Sequence, residues 1–128
     1  MLSWPGTVRI FVATDPLDLR CGFDRLAYHV QAILNQEPLS GHLFVFFNRL
    51  RNRCKILFWD QTGYCLWYKR LEAGTFQYPF HESGRQEIAA WELGVLLEGI
   101  DLKAGKRRKR FELPRALSTP VNGLGPGG

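Results

Sequence analysis

Apolar and polar residues along this chain recur with two different periods, and the changes of period mark out its elements. The run Thr7-Val8-Arg9-Ile10-Phe11-Val12-Ala13 is rich in β-branched residues and closes on the turn-prone Asp15-Pro16, which predicts a β-strand. Asp15 and Pro16 also suit the cap and first position of a short helical turn, where proline's missing amide hydrogen costs nothing. Phe23, Leu26, Ala27, Val30, Ile33 and Leu34 then recur at helical spacing, with Asp24, Arg25, Gln31 and Asn35 on the other faces. That spacing predicts an amphipathic helix over 22–35. Residues 35–41, with Pro38 among them, end it in a turn.

Three apolar runs follow, at 42–47, 54–59 and 64–68, of strand length and dense in Val, Ile, Phe, Trp and Tyr. The links between them, 48–53 and 60–63, are short, so consecutive strands are expected to be antiparallel neighbours. Phe76-Gln77-Tyr78-Pro79 reads as an edge piece, because Pro79 has no amide hydrogen for a ladder. Ser83-Gly84-Arg85-Gln86 has the pattern of a capping box and predicts a second helix starting near Ser83. Ile88, Trp91, Leu93, Val95, Leu96 and Leu97 give that helix a broad apolar face, and Gly99 a stop. The expected fold class is α+β: an antiparallel β-meander, in the order β-α-β-β-β-α, covered by two helices.

Composition sharpens the boundaries. With 128 residues, 45% of them hydrophobic and 13% aromatic, the chain can build one domain with a true core. Seven of the 17 basic residues and one of the 12 acids fall between 103 and 115, so that segment carries +6 and the remainder −1. The pI of 9.4 therefore describes a basic appendage on a near-neutral body. One domain is expected over 1–102, followed over 103–128 by a basic and then Gly/Pro-rich tail of disordered composition. No run approaches the roughly 18 apolar residues of a membrane span. The start Met1-Leu2-Ser3-Trp4-Pro5 lacks the basic and apolar regions of a signal peptide. Cys21, Cys54 and Cys65 are odd in number and form no C-x-x-C pair, which disfavours a disulfide framework and a zinc ribbon. A cytoplasmic location is expected.

Five groups of residues are candidates for chemistry. Arg49, Arg51, Arg53 and Lys55 alternate along a strand end and its turn, and Lys69 and Arg70 close the next strand. Alternate strand residues share a face, so these cations suit a phosphate backbone, with Asn48 and Asn52 as neutral donors. The same charges equally suit a solvated hairpin tip that discourages edge pairing. Lys106-Arg107-Arg108-Lys109-Arg110 is drawn to any polyanion through counterion release, or merely keeps the tail soluble. Asp15, Asp18, Asp24, Asp60 and Glu72 offer oxygen ligands for a nuclease's magnesium, but no spacing demands one, and Asp60 sits where a turn favours Asp. His29, His42 and His81 are scattered, and Cys54 and Cys65 read as small core hydrophobes. Trp59, Trp67 and Trp91, set among Ile, Leu and Phe, are expected in the core rather than as stacking platforms. No metal, cofactor or small-molecule substrate is implied.

Three blocks give the chain a family likeness. One is Asp18-Leu19-Arg20-Cys21-Gly22-Phe23-Asp24-Arg25-Leu26, close to D-x-R-x-G-F-D-x-L. The longest joins Pro38-Leu39-Ser40-Gly41-His42-Leu43-Phe44-Val45-Phe46 to Lys55-Ile56-Leu57-Phe58-Trp59-Asp60, Gly63, Tyr68-Lys69-Arg70-Leu71-Glu72 and Gly74-x-Phe76. The third is Leu96-Leu97-Glu98-Gly99-Ile100-Asp101. In these blocks the chain resembles the small TnpB-type accessory proteins encoded by bacterial insertion sequences of family sixty-six. Cys21 and Arg25 stand where the family pattern has a lysine-like residue and a glycine. The resemblance implies an accessory factor in transposition, acting without its own catalysis beside a larger transposase that cleaves the strands. It implies DNA of the mobile element and that transposase as partners, with no membrane. Arg20, Asp24, Arg49, Lys55, Asp60, Lys69, Arg70 and Glu72 are its polar family positions. The basic ones are expected to contact DNA or a partner, and Asp60 and Glu72 to cap the turn or pair with Lys69 and Arg70. The alternatives are a pure protein-interaction module and a metal-dependent nuclease.

Overall fold

Strands covered on both faces are apolar at every position rather than at alternate ones. In the computed structural model, which describes residues 8–77, 85–101 and 106–107, this holds for β1 (Ile10–Ala13) and β2 (Leu43–Phe47), buried along their whole length. Between them lies α1 (Phe23–Ala32), which carries the chain back so that β1 and β2 run parallel, Phe11 beside Phe44. β3 (Arg53–Trp59) and β4 (Tyr64–Arg70) extend the sheet beyond β2, and β5 (Arg85–Ile88) borders β1 on the other side. The order is β4-β3-β2-β1-β5, and every pair except β1–β2 is antiparallel. The α+β class and the β2-β3-β4 meander are as expected. The sheet as a whole is mixed, because the helix between the first two strands is a crossover.

The sheet separates two clusters. Phe11, Ala13, Phe44, Phe46 and Leu57 face α1 and pack with Leu19, Leu26, Val30 and Leu34. Ile10, Val12, Val45, Cys54 and Ile56 face the other way, toward Phe76 and toward Leu93 and Leu96 of α2 (Ala90–Glu98). Leu93 and Leu96 stand three apart and form the buried stripe of α2, which turns Trp91 (72% exposed) and Val95 outward. Trp67, on the edge strand β4, is 40% exposed, and Trp59 is half-buried against Tyr64. The expectation that Trp67 and Trp91 are core residues is therefore corrected: an edge strand and a one-sided helix each leave a face uncovered.

Two local expectations also fail. Residues 85–88, predicted as the first turn of a helix, form β5, with Ile10 beside Ile88 and Ala13 beside Arg85. A capping signature is worth about 1 kcal/mol, whereas pairing β5 supplies a ladder along the open edge of β1 and buries Ile88. The helix starts at Ala90 instead, where the Glu92 carboxylate accepts the Ala89 amide hydrogen at 2.8 Å. Asp15-Pro16 opens no helical turn: the chain runs irregularly to α1, and Asp18 organises it by accepting the Arg20 amide at 3.0 Å.

Phe76 is fully buried in the core rather than part of an edge strand, while Tyr78, Pro79, Ser83 and Gly84 lie outside the described residues. β6 (Ile100–Asp101) pairs with β7 (Lys106–Arg107), and Ile100 also bridges Thr75. Among the described residues no helix is long and apolar enough to cross a membrane.

Candidate nucleic-acid interface

The turn between β2 and β3 is built by one side chain. Asn48 Oδ1 accepts the amide hydrogens of Asn52 and Arg53, both at 3.0 Å, and Asn48 Nδ2 donates to Asn52 Oδ1 at 2.7 Å. The two asparagines, expected as neutral donors to a phosphate backbone, thus bond one another and fix the turn. Arg51 takes a left-handed conformation (φ 57°), and its carbonyl accepts the Phe76 amide at 2.7 Å, which fastens the turn to the segment after β4. Arg49 and Leu50 stand exposed at the tip.

Facing this turn is the irregular segment between β1 and α1. Leu17 donates its amide hydrogen to the Phe47 carbonyl at 2.9 Å, so the segment lies alongside the end of β2. The two walls enclose an open cleft of about 750 Å3. Its floor comes from the α1 side of the sheet. Cys54 and Ile56 point into the opposite cluster, so Arg53 and Lys55 point into the cleft, with Tyr68 paired across the strand from Lys55. A neighbouring hollow of about 430 Å3 shares Leu17, Asp18 and Arg20 with the cleft and adds Arg25 and His29. Five cations, Arg20, Arg25, Arg49, Arg53 and Lys55, and one carboxylate, Asp18, line the two spaces.

Each charge is held differently. Asp18 and Arg20 form a bidentate pair, with Nε at 3.0 Å and Nη2 at 2.8 Å from the carboxylate. The guanidinium hydrogen bonds, and then the Arg20 amide, hold the Asp18 carboxyl down to about 2. Lys55 is buried, and a buried ammonium needs partners. Its Nζ donates to the Cys21 carbonyl at 2.8 Å and lies 4.9 Å from the centre of the Tyr68 ring, within cation–π range. Arg53 Nη1 donates to the Tyr68 hydroxyl at 2.6 Å. Arg49 enters no ion pair among the described residues. Burial, with Arg25 adding to it, lowers the His29 pKa, so this imidazole is neutral at pH 7.

Arg51, Lys69 and Arg70, also expected at a phosphate backbone, do not line the cleft. Arg51 lies over the Phe47 ring, 6.0 Å from its centre. Lys69 is on the α2 side of the sheet, where its Nζ donates to the Leu97 carbonyl at 2.8 Å, in the last turn of α2. Arg70 is opposite Arg53 on β4 and pairs with Glu72 at 2.9 Å. Lys106 and Arg107 form β7, and Arg108, Lys109 and Arg110 lie outside the described residues. Reading the residues one by one misses Tyr68 and Arg25. Tyr68 has only its place inside a family block as a signal, and Arg25, which departs from the family pattern, has none.

The acids do not converge. Asp60 Oδ1 accepts from the Thr62 and Gly63 amides and the Thr62 hydroxyl, each at 3.1 Å, and these bonds lower its pKa. It is a turn residue, as its position suggested. Among the described residues no group of three His, Cys, Asp or Glu is placed to hold a metal ion. Cys54 is buried in the core, which pushes its thiol pKa far up. Cys65 is half-buried and donates to Asp60. His42 accepts the Arg9 amide at Nδ1, 3.0 Å away, and His81 lies outside the described residues.

Known proteins are similar to this chain over most of its length. Residues 8–107 match the family described as IS66 Orf2 like protein. That match includes both walls and the floor of the cleft, and reaches past Asp101, where the blocks read from the sequence end, to Arg107. The chain is 44% identical over 101 residues to uncharacterized protein y4hO of Sinorhizobium fredii (strain NBRC 101917 / NGR234), covering 79% of this chain and 88% of that one. It is 35% identical over 101 residues to uncharacterized protein y4jC of the same strain, covering 79% and 86%. No solved structure matches. The chain therefore belongs to the IS66 Orf2-like family, whose members have an accessory role associated with insertion sequences.

Proposed function

We propose that this protein is a non-catalytic accessory factor of transposition that grips the phosphate backbone of its element's DNA in the cleft between the 15–22 segment and the β2–β3 turn. The observation that carries this reading is the gathering of Arg20, Arg49, Arg53 and Lys55 around one open, concave site with a single carboxylate. Arg49 supplies an exposed guanidinium at the rim. Arg53 and Lys55, anchored by the Tyr68 hydroxyl and the Cys21 carbonyl, supply fixed positive charge on the floor. The basic run 106–110 adds phosphate contacts that need no shape. Lys69 and Arg70 fall outside the phosphate-binding set. The larger transposase of the element would do the cleavage, with this chain helping to assemble it on the DNA.

The test is the salt dependence of binding to element-end DNA, by gel shift or fluorescence anisotropy. Each engaged phosphate adds about 0.9 to the slope of log affinity against log salt on duplex. Arg49→Ala is expected to weaken binding and shallow that slope by about this much. A slope unchanged by Arg49→Ala and Arg53→Ala together would sink the cleft as the site. One observation favours a second reading, docking of a protein: Trp91 and Val95 are exposed one turn apart on α2. A pull-down of the transposase that survives nuclease treatment and is lost in Trp91→Ser would support that contact.

A further inference from the structure

We propose that the cleft takes an unpaired stretch of DNA, with Tyr68 as the surface on which one base stacks. This rests on the cleft being the DNA site and specifies the form of DNA that fills it. Tyr68 lies on the floor of a concave space, and half of the residue (49%) is open to solvent. Its ring is held at two points. The Lys55 ammonium sits 4.9 Å from the ring centre, and the Arg53 guanidinium donates to the hydroxyl at 2.6 Å. A ring held this way gives up little freedom when a base lies against it, and preorganisation of that kind raises affinity.

The surroundings match the parts of a nucleotide. Leu17 and Leu50 offer apolar contact on the two walls, and Leu50 is 71% exposed, with nothing in its own turn to cover it. Arg49 and Arg20 sit where flanking phosphates would pass. The volume of about 750 Å3 lies in the range of sites that enclose a small organic ligand. A duplex keeps its base faces stacked inside, so it can offer the cleft its backbone and base edges but no base face, and a base must be unstacked before it stacks on Tyr68. A strand that is already unpaired offers base faces at no such cost, and stacking on aromatic rings is how sequence-tolerant single-strand sites gain affinity. The other exposed rings lack these neighbours: Trp67 points to the opposite side of the sheet, Trp91 is on the outer side of α2, and Phe23 and Tyr28, on α1, line neither of the two spaces.

The experiment measures, for the full chain, affinities for a labelled oligothymidylate and for a duplex of equal length at one salt concentration. The ratio of the two is the readout, because the basic tail acts on both forms. Tyr68→Leu, which keeps bulk and removes the aromatic face, is expected to lower that ratio about tenfold by weakening single-strand binding alone. Tyr68→Phe, which keeps the ring, is expected to retain most of it. A ratio unchanged by Tyr68→Leu overturns the inference. If Arg49→Ala still weakens duplex binding in that case, the cleft remains the DNA site. Failure of the wild-type chain to bind either form at low salt would remove both. A thermal melt of each variant confirms that the fold is intact, and Tyr68→Phe provides the comparison if Tyr68→Leu melts early.

Discussion

Lys69→Met separates structural from phosphate-binding cations in a single variant. The Lys69 ammonium donates to the Leu97 carbonyl at 2.8 Å, at the C-terminal end of a nine-residue helix. A hydrogen bond to a charged group contributes about 1.5–3 kcal/mol, and a cation at a helix C-terminus roughly 0.3–1 kcal/mol, partly the same energy. Methionine keeps the aliphatic stem and loses the charge, and Leu97 is only half-buried. A net loss of about 1.5 kcal/mol is expected from these ranges. For a domain of this size each kcal/mol moves Tm by about 4–8 °C, so the midpoint should fall by roughly 6–12 °C. Circular dichroism melts and urea titrations measure this. The same preparation should bind DNA with an unchanged salt slope, because Lys69 faces α2 and the cleft is on the other side of the sheet. Arg49→Ala should do the reverse, leaving Tm nearly unchanged and shallowing the slope. An unaltered midpoint for Lys69→Met with a slope shallower by about 0.9 would mean that Lys69 holds a phosphate, and would refute the assignment of faces.

Three further outcomes are expected. Asp18→Asn keeps the side-chain oxygen that accepts the Arg20 amide but releases the Arg20 guanidinium from its ion pair, so DNA affinity at low salt should rise; unchanged or weaker binding would show that Arg20 does not face the DNA. Gly99 has φ +77° and ψ 171°, and a Cβ there would lie 2.7 Å from Leu71 Cδ1 and 3.2 Å from the Thr75 carbonyl oxygen. Gly99→Ala therefore meets both a nearly glycine-only conformation, costing about 1–3 kcal/mol, and a collision, and a melt equal to wild type would contradict the packing at the end of α2. His29 and His42 both have pKa values lowered first by burial, with Arg25 and Arg9 adding to it. The unfolded chain therefore takes up protons before the folded one does, and their contribution to stability is present above about pH 6.5. It should be lost as the pH falls through the folded values. A Tm that stays level on acidification from pH 7 through that window, or an equal decline in a His29→Gln, His42→Gln double variant, would exclude the two imidazoles as its cause.

What the sequence could show followed from how local each signal was. The apolar, β-branched runs of β1 and β2 announced strands, and the 3.6-residue recurrence from Phe23 announced α1, because both patterns are imposed by the element's own geometry. Asp60 was legible as a turn residue for the same reason. The Arg49–Lys55 cluster was legible as a group of cations, and Arg49, Arg53 and Lys55 of it line the cleft. Tertiary structure decided the rest. Arg85 and Gln86 end a helix-capping pattern that starts at Ser83, yet residues 85–88 became a strand because the edge of β1 lacked a partner, and a ladder outweighs a cap. Lys69 and Arg53 look alike in sequence, yet one closes the end of a helix and the other lines a cleft, since their fate depends on which face of the sheet each strand position presents. Tyr68 gave no sign of its own. Its place beside Lys55, Arg53 and a loop some fifty residues upstream exists only once β3 and β4 pair and the crossover brings the 15–22 segment against the end of β2. A side chain's periodicity is written along the chain, but its neighbours across a sheet are set by how the strands are ordered and paired.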